Sequence, residues 1–292
     1  MHETWASETS TSAAAPTSSA VETIVIRPTR GLLPPRLGDV WRNRELFWIL
    51  VWRDVKVRYA QTTLGAAWML FQPLALMLVY TFAFGHLAKV KTPGIPYPVF
   101  ALSGLVLWIF VSRATLMGSE SLIVNMPLIT KTSCPRILIP IAAVFSVFAD
   151  FLVAIVLYVI LAAFYGVAPG WHVVFVPPLL LVACILALGL GLFLSATTVR
   201  YRDVGQALPF LITLWFFLSP VAYLLQTPGH SWETVVQALN PLVGLILALR
   251  WALLDTPAPH GMLAMAVAVS VLIFVGGVAR FAQTERTIAD EL

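Results

Sequence analysis

The chain contains one apolar run after another, each long enough to cross a lipid bilayer, and no other feature restricts its fold so strongly. Crossing about 30 Å of hydrocarbon takes roughly 20 helical residues, and an open strand would leave backbone groups unpaired in lipid. Such runs lie at 64–88, 98–117, 138–166, 173–199, 207–226 and 262–282. The third and fourth exceed the required length and are expected to tilt or to project from the bilayer. Pro73, Pro209 and Pro220 lie within runs, where each removes a backbone donor and can bend its helix, although ordinary tolerance of proline in membrane helices is the expectation for any single one. With 59% hydrophobic and 11% charged residues, a water-soluble domain around one core is excluded. The expected fold is an all-α integral membrane protein with six transmembrane helices spanning 63–282.

Orientation follows from where Lys and Arg fall, because they accumulate on the cytoplasmic side. Eight lie in 27–58, and two each lie in 118–137, in 200–206 and in the C-terminal segment. Only Lys89, Lys91 and Arg250 fall on the other side, against fourteen. Both termini are therefore expected in the cytoplasm, in a multi-pass protein of the cytoplasmic (inner) membrane, with 283–292 as a tail. The pI near 9.3 reflects this asymmetry and does not call for nucleic acid.

Ahead of the first run, residues 1–36 form a Ser/Thr/Ala-rich tail and a proline-rich lead-in, expected to be disordered. Residues 37–62 read as an amphipathic helix in the membrane interface, with Asp39 as N-cap. Val40, Trp41, Phe47, Trp48, Val51, Val55 and Tyr59 fall towards one side, and Arg42, Glu45, Arg53 and Lys56 towards another. Two duties fit it: a positive anchor contacting membrane lipids, or a surface that meets a partner.

Between the fifth and sixth runs, 227–261 is rich in Pro and Gly. Its apolar stretch 242–254 is too short to cross, and 231–239 can form a shorter helix with Ser231 as N-cap. A short re-entrant pair closing the mouth of a pathway is the expectation, with a packed cap as the alternative.

Chemical motifs are absent from the sequence. There is no GxxxxGKS or GxxxxGKT loop, no GxSxG or HExxH, and no Cys/His cluster, so neither enzyme chemistry nor a metal or cofactor is expected on this chain. Cys134 and Cys184 are not expected to pair, and the five scattered histidines read as solvated loop residues. Arg113 and Asp150 are ionisable groups at membrane depth, where charge is costly unless paired or facing a polar cavity. They either line or gate a pathway or form an interhelical pair. Trp68, Phe71, Tyr80, Trp108, Phe210, Trp215, Phe217 and Tyr223 are candidates to line a passage for a sugar chain, whose C–H faces pack on aromatic rings. Lipid contact and packing compete for each.

The segment FWILVWRDVKVRYAQTTLGAAWMLFQPL (47–74) resembles the entry segment of ABC-2-type polysaccharide-export permeases, the transmembrane subunits of O-antigen, teichoic acid or galactan exporters. Trp52, Arg53, Asp54, Lys56, Val57, Arg58, Tyr59, Leu64, Gly65, Trp68 and Pro73 carry the likeness. VRYRDV (199–204) resembles that family's inner loop, and NPLVGLILALR (240–250), with Asn240, Pro241 and Arg250, its outer gate. The resemblance implies a homodimeric channel for a lipid-linked glycan beneath which two ABC nucleotide-binding ATPase subunits bind, with ATP and Mg held by those partners. Arg53, Asp54, Lys56, Arg58, Lys131, Arg202 and Asp203 would then carry the coupling to the ATPase. An exporter of drugs or small lipids is the alternative, and an ion-coupled secondary transporter using Asp150 a more distant one.

Overall fold

The computed structural model describes residues 41–60, 65–90, 92, 94–131, 134–224, 235 and 237–291, the last six by backbone alone. The tail at 1–36 and the N-caps expected at Asp39 and Ser231 lie outside the described residues. Helix α1 (Arg44–Tyr59) precedes α2 (Ala67–Tyr80), which continues as a π-helical stretch, Thr81–Leu87. Then come α3 (Tyr97–Val124), the short α4 (Met126–Lys131), α5 (Leu138–Ser146) and α6 (Phe148–Phe164). A 3-10 turn, Trp171–Phe175, leads into α7 (Val176–Arg200), followed by α8 (Arg202–Phe217), α9 (Pro241–Leu254) and α10 (His260–Glu291).

Among the described residues, five helical stretches are long and apolar enough to cross a membrane: Ala67–Leu87, Tyr97–Val124, Leu138–Phe164, Trp171–Arg200 and His260–Glu285. They match the first, second, third, fourth and sixth expected spans. The fifth, expected at 207–226, differs. Helix α8 starts earlier, at Arg202, and stops at Phe217 after 16 residues, about 24 Å at 1.5 Å per residue. Pro220 cannot donate to the ladder and its ring would meet the residue-216 carbonyl, so the chain unwinds over 218–224. The expected inner loop 200–206 shrinks to Tyr201, the single non-helical residue between α7 and α8.

The third span is also not one helix. It breaks at Val147, whose N–H bonds the Val144 carbonyl at 3.2 Å in a tight turn. Next to the break, Ser146 Oγ donates back to the Ala143 carbonyl at 2.7 Å, a contact that bends helices.

Helix α3 forms the axis of the bundle: 89% of its most apolar window is buried, against 11% for the first span. Two apolar clusters lie along it. One, at the end that carries α1, joins Phe47, Leu50 and Val51 of α1 to Leu122, Leu138, Ile141, Leu192 and Phe281. The other fills the middle and the far end, where α9 sits.

The face of α1 differs from the sequence expectation. Phe47, Leu50 and Val51 face the protein, while Trp41, Trp48, Ile49 and Trp52 are exposed. The helix has apolar residues on two sides, one for protein and one facing away from it, and the inward side also carries Asp54 and Arg58.

Helices α7 and α10 approach closely because both present glycine. A Cβ on Gly277 would lie 2.2 Å from the Gly189 carbonyl oxygen, and one on Gly189 would lie 2.6 Å from Phe274 backbone. Small residues of this kind let membrane helices gain backbone-to-backbone contact. Gly277→Ala is therefore expected to lower stability by about 1–3 kcal/mol through overpacking. The neighbouring Gly276→Ala, with nothing within 4 Å of the added carbon, should leave the thermal midpoint of the purified protein unchanged.

Candidate functional site

Three of the four charges of the entry segment, Arg53, Asp54 and Arg58, turn towards the protein, and Lys56 is exposed. At the end of α1, Arg58 Nη1 donates to Asp150 Oδ2 at 2.6 Å, and Arg58 Nη2 donates to Ser146 Oγ at 2.6 Å. Tyr59 donates its hydroxyl to the other oxygen, Asp150 Oδ1. From α3, Arg113 Nη1 reaches Asp150 Oδ2 at 2.9 Å, while its Nη2 donates to Gln72 Oε1 on α2. One carboxylate thus gathers donors from α1 and α3, and the attached groups extend to α2 and to the break in the third span. The side chain of Asp150 is only 4% exposed, so its charge is stabilised by these donors in place of water.

This arrangement answers the question left by Arg113 and Asp150. They pair, and Arg58 joins them. The Arg58 side chain is correspondingly only 16% exposed. Burial, and after it the hydrogen bond to Asp150, raise the pKa of the Tyr59 phenol above its ordinary value, keeping it a neutral donor.

Arg53, one turn earlier, also faces the protein. Its Nη2 donates to Asn125 Oδ1 at 2.6 Å, and it pairs with Asp54 at 2.8 Å. Asn125 is the hinge residue between α3 and α4: its amide donates to the Ser121 carbonyl at 2.8 Å and its own carbonyl accepts from Leu128 and Ile129. Arg53 therefore ties α1 to the start of α4. Lys56, Lys131, Arg202 and Asp203 are exposed, with the Lys56 ammonium 5.6 Å from the Trp52 ring centroid.

At the far end, Asn240 caps α9: its Oδ1 accepts from the Leu242 N–H at 3.1 Å and from Trp215 Nε1 at 3.0 Å. Its amide donates to the Leu218 carbonyl at 3.2 Å and to Ser219 Oγ at 3.0 Å. Pro241 occupies the first helical position, where its missing N–H is harmless. Arg250, expected to interrupt the short helix of the outer segment 227–261, is 1% exposed, buried against Phe100 with its guanidinium 3.7 Å from the ring centroid. Helix α9 is thus a core element. His172 is likewise not a free loop residue; it pairs with Asp255 at 2.6 Å and packs on Trp251.

The aromatic candidates divide in two. Trp68, Phe71, Phe210 and Phe217 are exposed on α2 and α8. Trp108 packs edge-on against Trp215 and Phe216, Tyr80 stacks on Phe216, and Tyr223 is half-buried with its hydroxyl on the Phe217 carbonyl. Sequence reasoning missed Gln72, Asn125 and Ser146. Gln72 alone left a trace, as the single amide in the apolar stretch 64–79. Among the described residues no group of three His, Cys, Asp or Glu is placed to hold a metal.

Removing one member of a buried ion cluster leaves its partners uncompensated, at a cost of about 3–5 kcal/mol. Asp150→Asn should therefore lower thermal stability strongly, and Arg113→Gln in the same chain should recover part of the loss. Simple additivity of the two losses in a double-mutant cycle would contradict the cluster.

Comparison with known proteins agrees with this architecture. The family model described as ABC-2 type transporter matches residues 45–254, from α1 through α9. The O-antigen export system permease protein RfbA of Myxococcus xanthus is 30% identical over 256 residues, covering 87% of this chain and 98% of that protein. A Klebsiella pneumoniae protein of the same name is 26% identical over 249 residues, covering 85% and 95%. The polysialic acid transport protein KpsM of Escherichia coli is 23% identical over 235 residues, covering 77% and 88%. The chain belongs to the ABC-2 type transporter family.

Proposed function

We propose that this protein is the permease subunit of an ATP-driven exporter that carries a lipid-linked polysaccharide across the cytoplasmic membrane. The observation that carries this reading is the near full-length similarity to an O-antigen export permease. In this reading two copies form the passage and two ATPase subunits bind at the α1 end, with both termini in the cytoplasm. ATP and Mg act on the ATPase chains, and this chain performs no catalysis of its own. Helix α8 and the unwound 218–224 together make the fifth of the six crossings, and α9 with the segment before it forms the outer gate.

Differences in exposure support a division of roles among these residues. The ATPase meets the exposed charges Lys56, Lys131, Arg202 and Asp203, while Arg53, Asp54 and Arg58 transmit motion within the chain. A push on α4 reaches α1 through Arg53 and Asn125, and reaches the second and third spans through Arg58, Arg113 and Asp150. Trp68, Phe71, Phe210 and Phe217 line the passage from the open faces of α2 and α8. The second copy adds beside those faces. Tyr80, Trp108, Trp215 and Tyr223 support them from behind.

Inside-out vesicles holding the permease and its ATPase should take up lipid-linked glycan only with ATP. Uptake driven by a proton gradient without the ATPase would overturn the proposal, and ATP-driven movement of a drug or small lipid alone would replace the cargo. Lys131→Glu combined with Arg202→Glu should cut ATPase co-purification by about tenfold or more, the equivalent of about 1.4 kcal/mol. Arg58→Gln should leave the ATPase bound yet lower thermal stability. Loss of ATPase binding in Arg58→Gln but not in the charge-reversed pair would invert the assignment.

A further inference from the structure

The unwound segment after α8 exposes a row of backbone carbonyls within the apolar interior, and such groups are costly unless each finds a donor. Here side chains from two other helices supply the donors. Arg250 Nη2 on α9 donates to the Val221 carbonyl at 2.6 Å, and Arg250 Nη1 lies 3.4 Å from the Tyr223 carbonyl. Between them, the Tyr97 hydroxyl on α3 donates to the Ala222 carbonyl at 2.5 Å. Three consecutive carbonyls are thus gripped by two residues, and Asn240 holds the Leu218 carbonyl one turn earlier.

The charge of Arg250 has no other evident use. Among the described residues no carboxylate lies within ion-pair distance of it. The guanidinium also lies against the Phe100 face, a weak cation partner, and its Nε has no hydrogen-bond partner among the described residues. A buried guanidinium is retained here although an apolar side chain of similar volume would fill the space. Helix α3 is shaped to admit it: a Cβ on Gly104 would lie 2.5 Å from the Val221 oxygen and 3.0 Å from Arg250 Nη2.

We infer that Arg250, with Tyr97, is the positioning residue that pins the unwound segment 218–224 and thereby holds the outer end of the passage shut at rest. The inference rests on the exporter reading for the existence of a passage; the pin itself rests on the contacts above. Opening requires the 221–223 carbonyls to leave Arg250, so α9 and the end of α8 separate as a step of transport. Arginine suits the task because its planar fork serves two carbonyls together, whereas a lysine ammonium serves one direction at a time.

The test is the permeability of resting vesicles. The permease–ATPase complex is reconstituted in potassium-loaded vesicles without ATP, and potassium release is followed for wild type, Arg250→Met, Arg250→Lys, Tyr97→Phe and Gly104→Ala. Hydrogen bonds to a charged donor are strong enough that losing both should raise the open fraction, and the leak, by about tenfold or more. Arg250→Lys should leak less than Arg250→Met, and Gly104→Ala should leak by displacing the same carbonyl. A merely structural role would lower thermal stability without producing this order of leaks. Folded Arg250→Met vesicles as tight as wild type would overturn the inference, and if that variant does not fold, tight Tyr97→Phe and Gly104→Ala vesicles would do so. Leaky variants whose parent exports no glycan would leave the pin standing and remove the exporter reading. Export by wild type alongside tight variants would do the reverse.

Discussion

A single carboxylate organises the end of the bundle that carries α1. Asp150 accepts from Arg58 and Tyr59 of α1 and from Arg113 of α3, and it sits just past the break in the third span. A lone charge at such a place would be expelled or neutralised. Paired as it is, it obliges α1 to lie against α5 in one register, with Phe47, Leu50 and Val51 inward and the tryptophans outward. The register then brings Arg53 to Asn125, so the junction of α3 and α4 is set by the same helix.

The opposite end uses another solution to a related difficulty. There the chain unwinds, and the unsatisfied groups are carbonyls. Donors from Tyr97, Asn240 and Arg250 answer them. Both ends therefore place a polar knot beside an interrupted helix, at Val147 and at 218–224. Helix α3 touches both through Arg113 and Tyr97, about 24 Å apart at 1.5 Å per residue. Its burial makes it the rigid element between them, and the close α7–α10 contact at Gly189 and Gly277 stiffens the bundle alongside it.

Five long apolar helices, the helix ahead of them and the short α9 could be read from the sequence because apolar length and charge patterning are one-dimensional signals. The faces of α1 could not. Trp41 and Trp48 count as apolar in any periodicity, and only the fold reveals that they look away from the protein while Phe47 looks in. The end of the helix in the fifth run could not be read, because hydropathy continues through Leu218–Leu225 although the helix stops at Phe217 ahead of Pro220. The Arg58–Asp150 link joins residues 92 positions apart, and no local pattern announces a partner at that distance. Arg250 was visible as an interruption in an apolar stretch, but its carbonyl partners exist only once α8 unwinds.

In the proposed exporter, α1 and the third span move as one piece when the ATPase acts. Spin labels placed at Val57 and Leu152, both exposed, report the distance between α1 and α6 in the permease–ATPase complex. A distance distribution that stays the same with and without ATP, while labels at Phe210 in the two copies change their separation, is the predicted result. An α1–α6 distance that shifts with ATP while the Phe210 pair stays fixed would contradict the account.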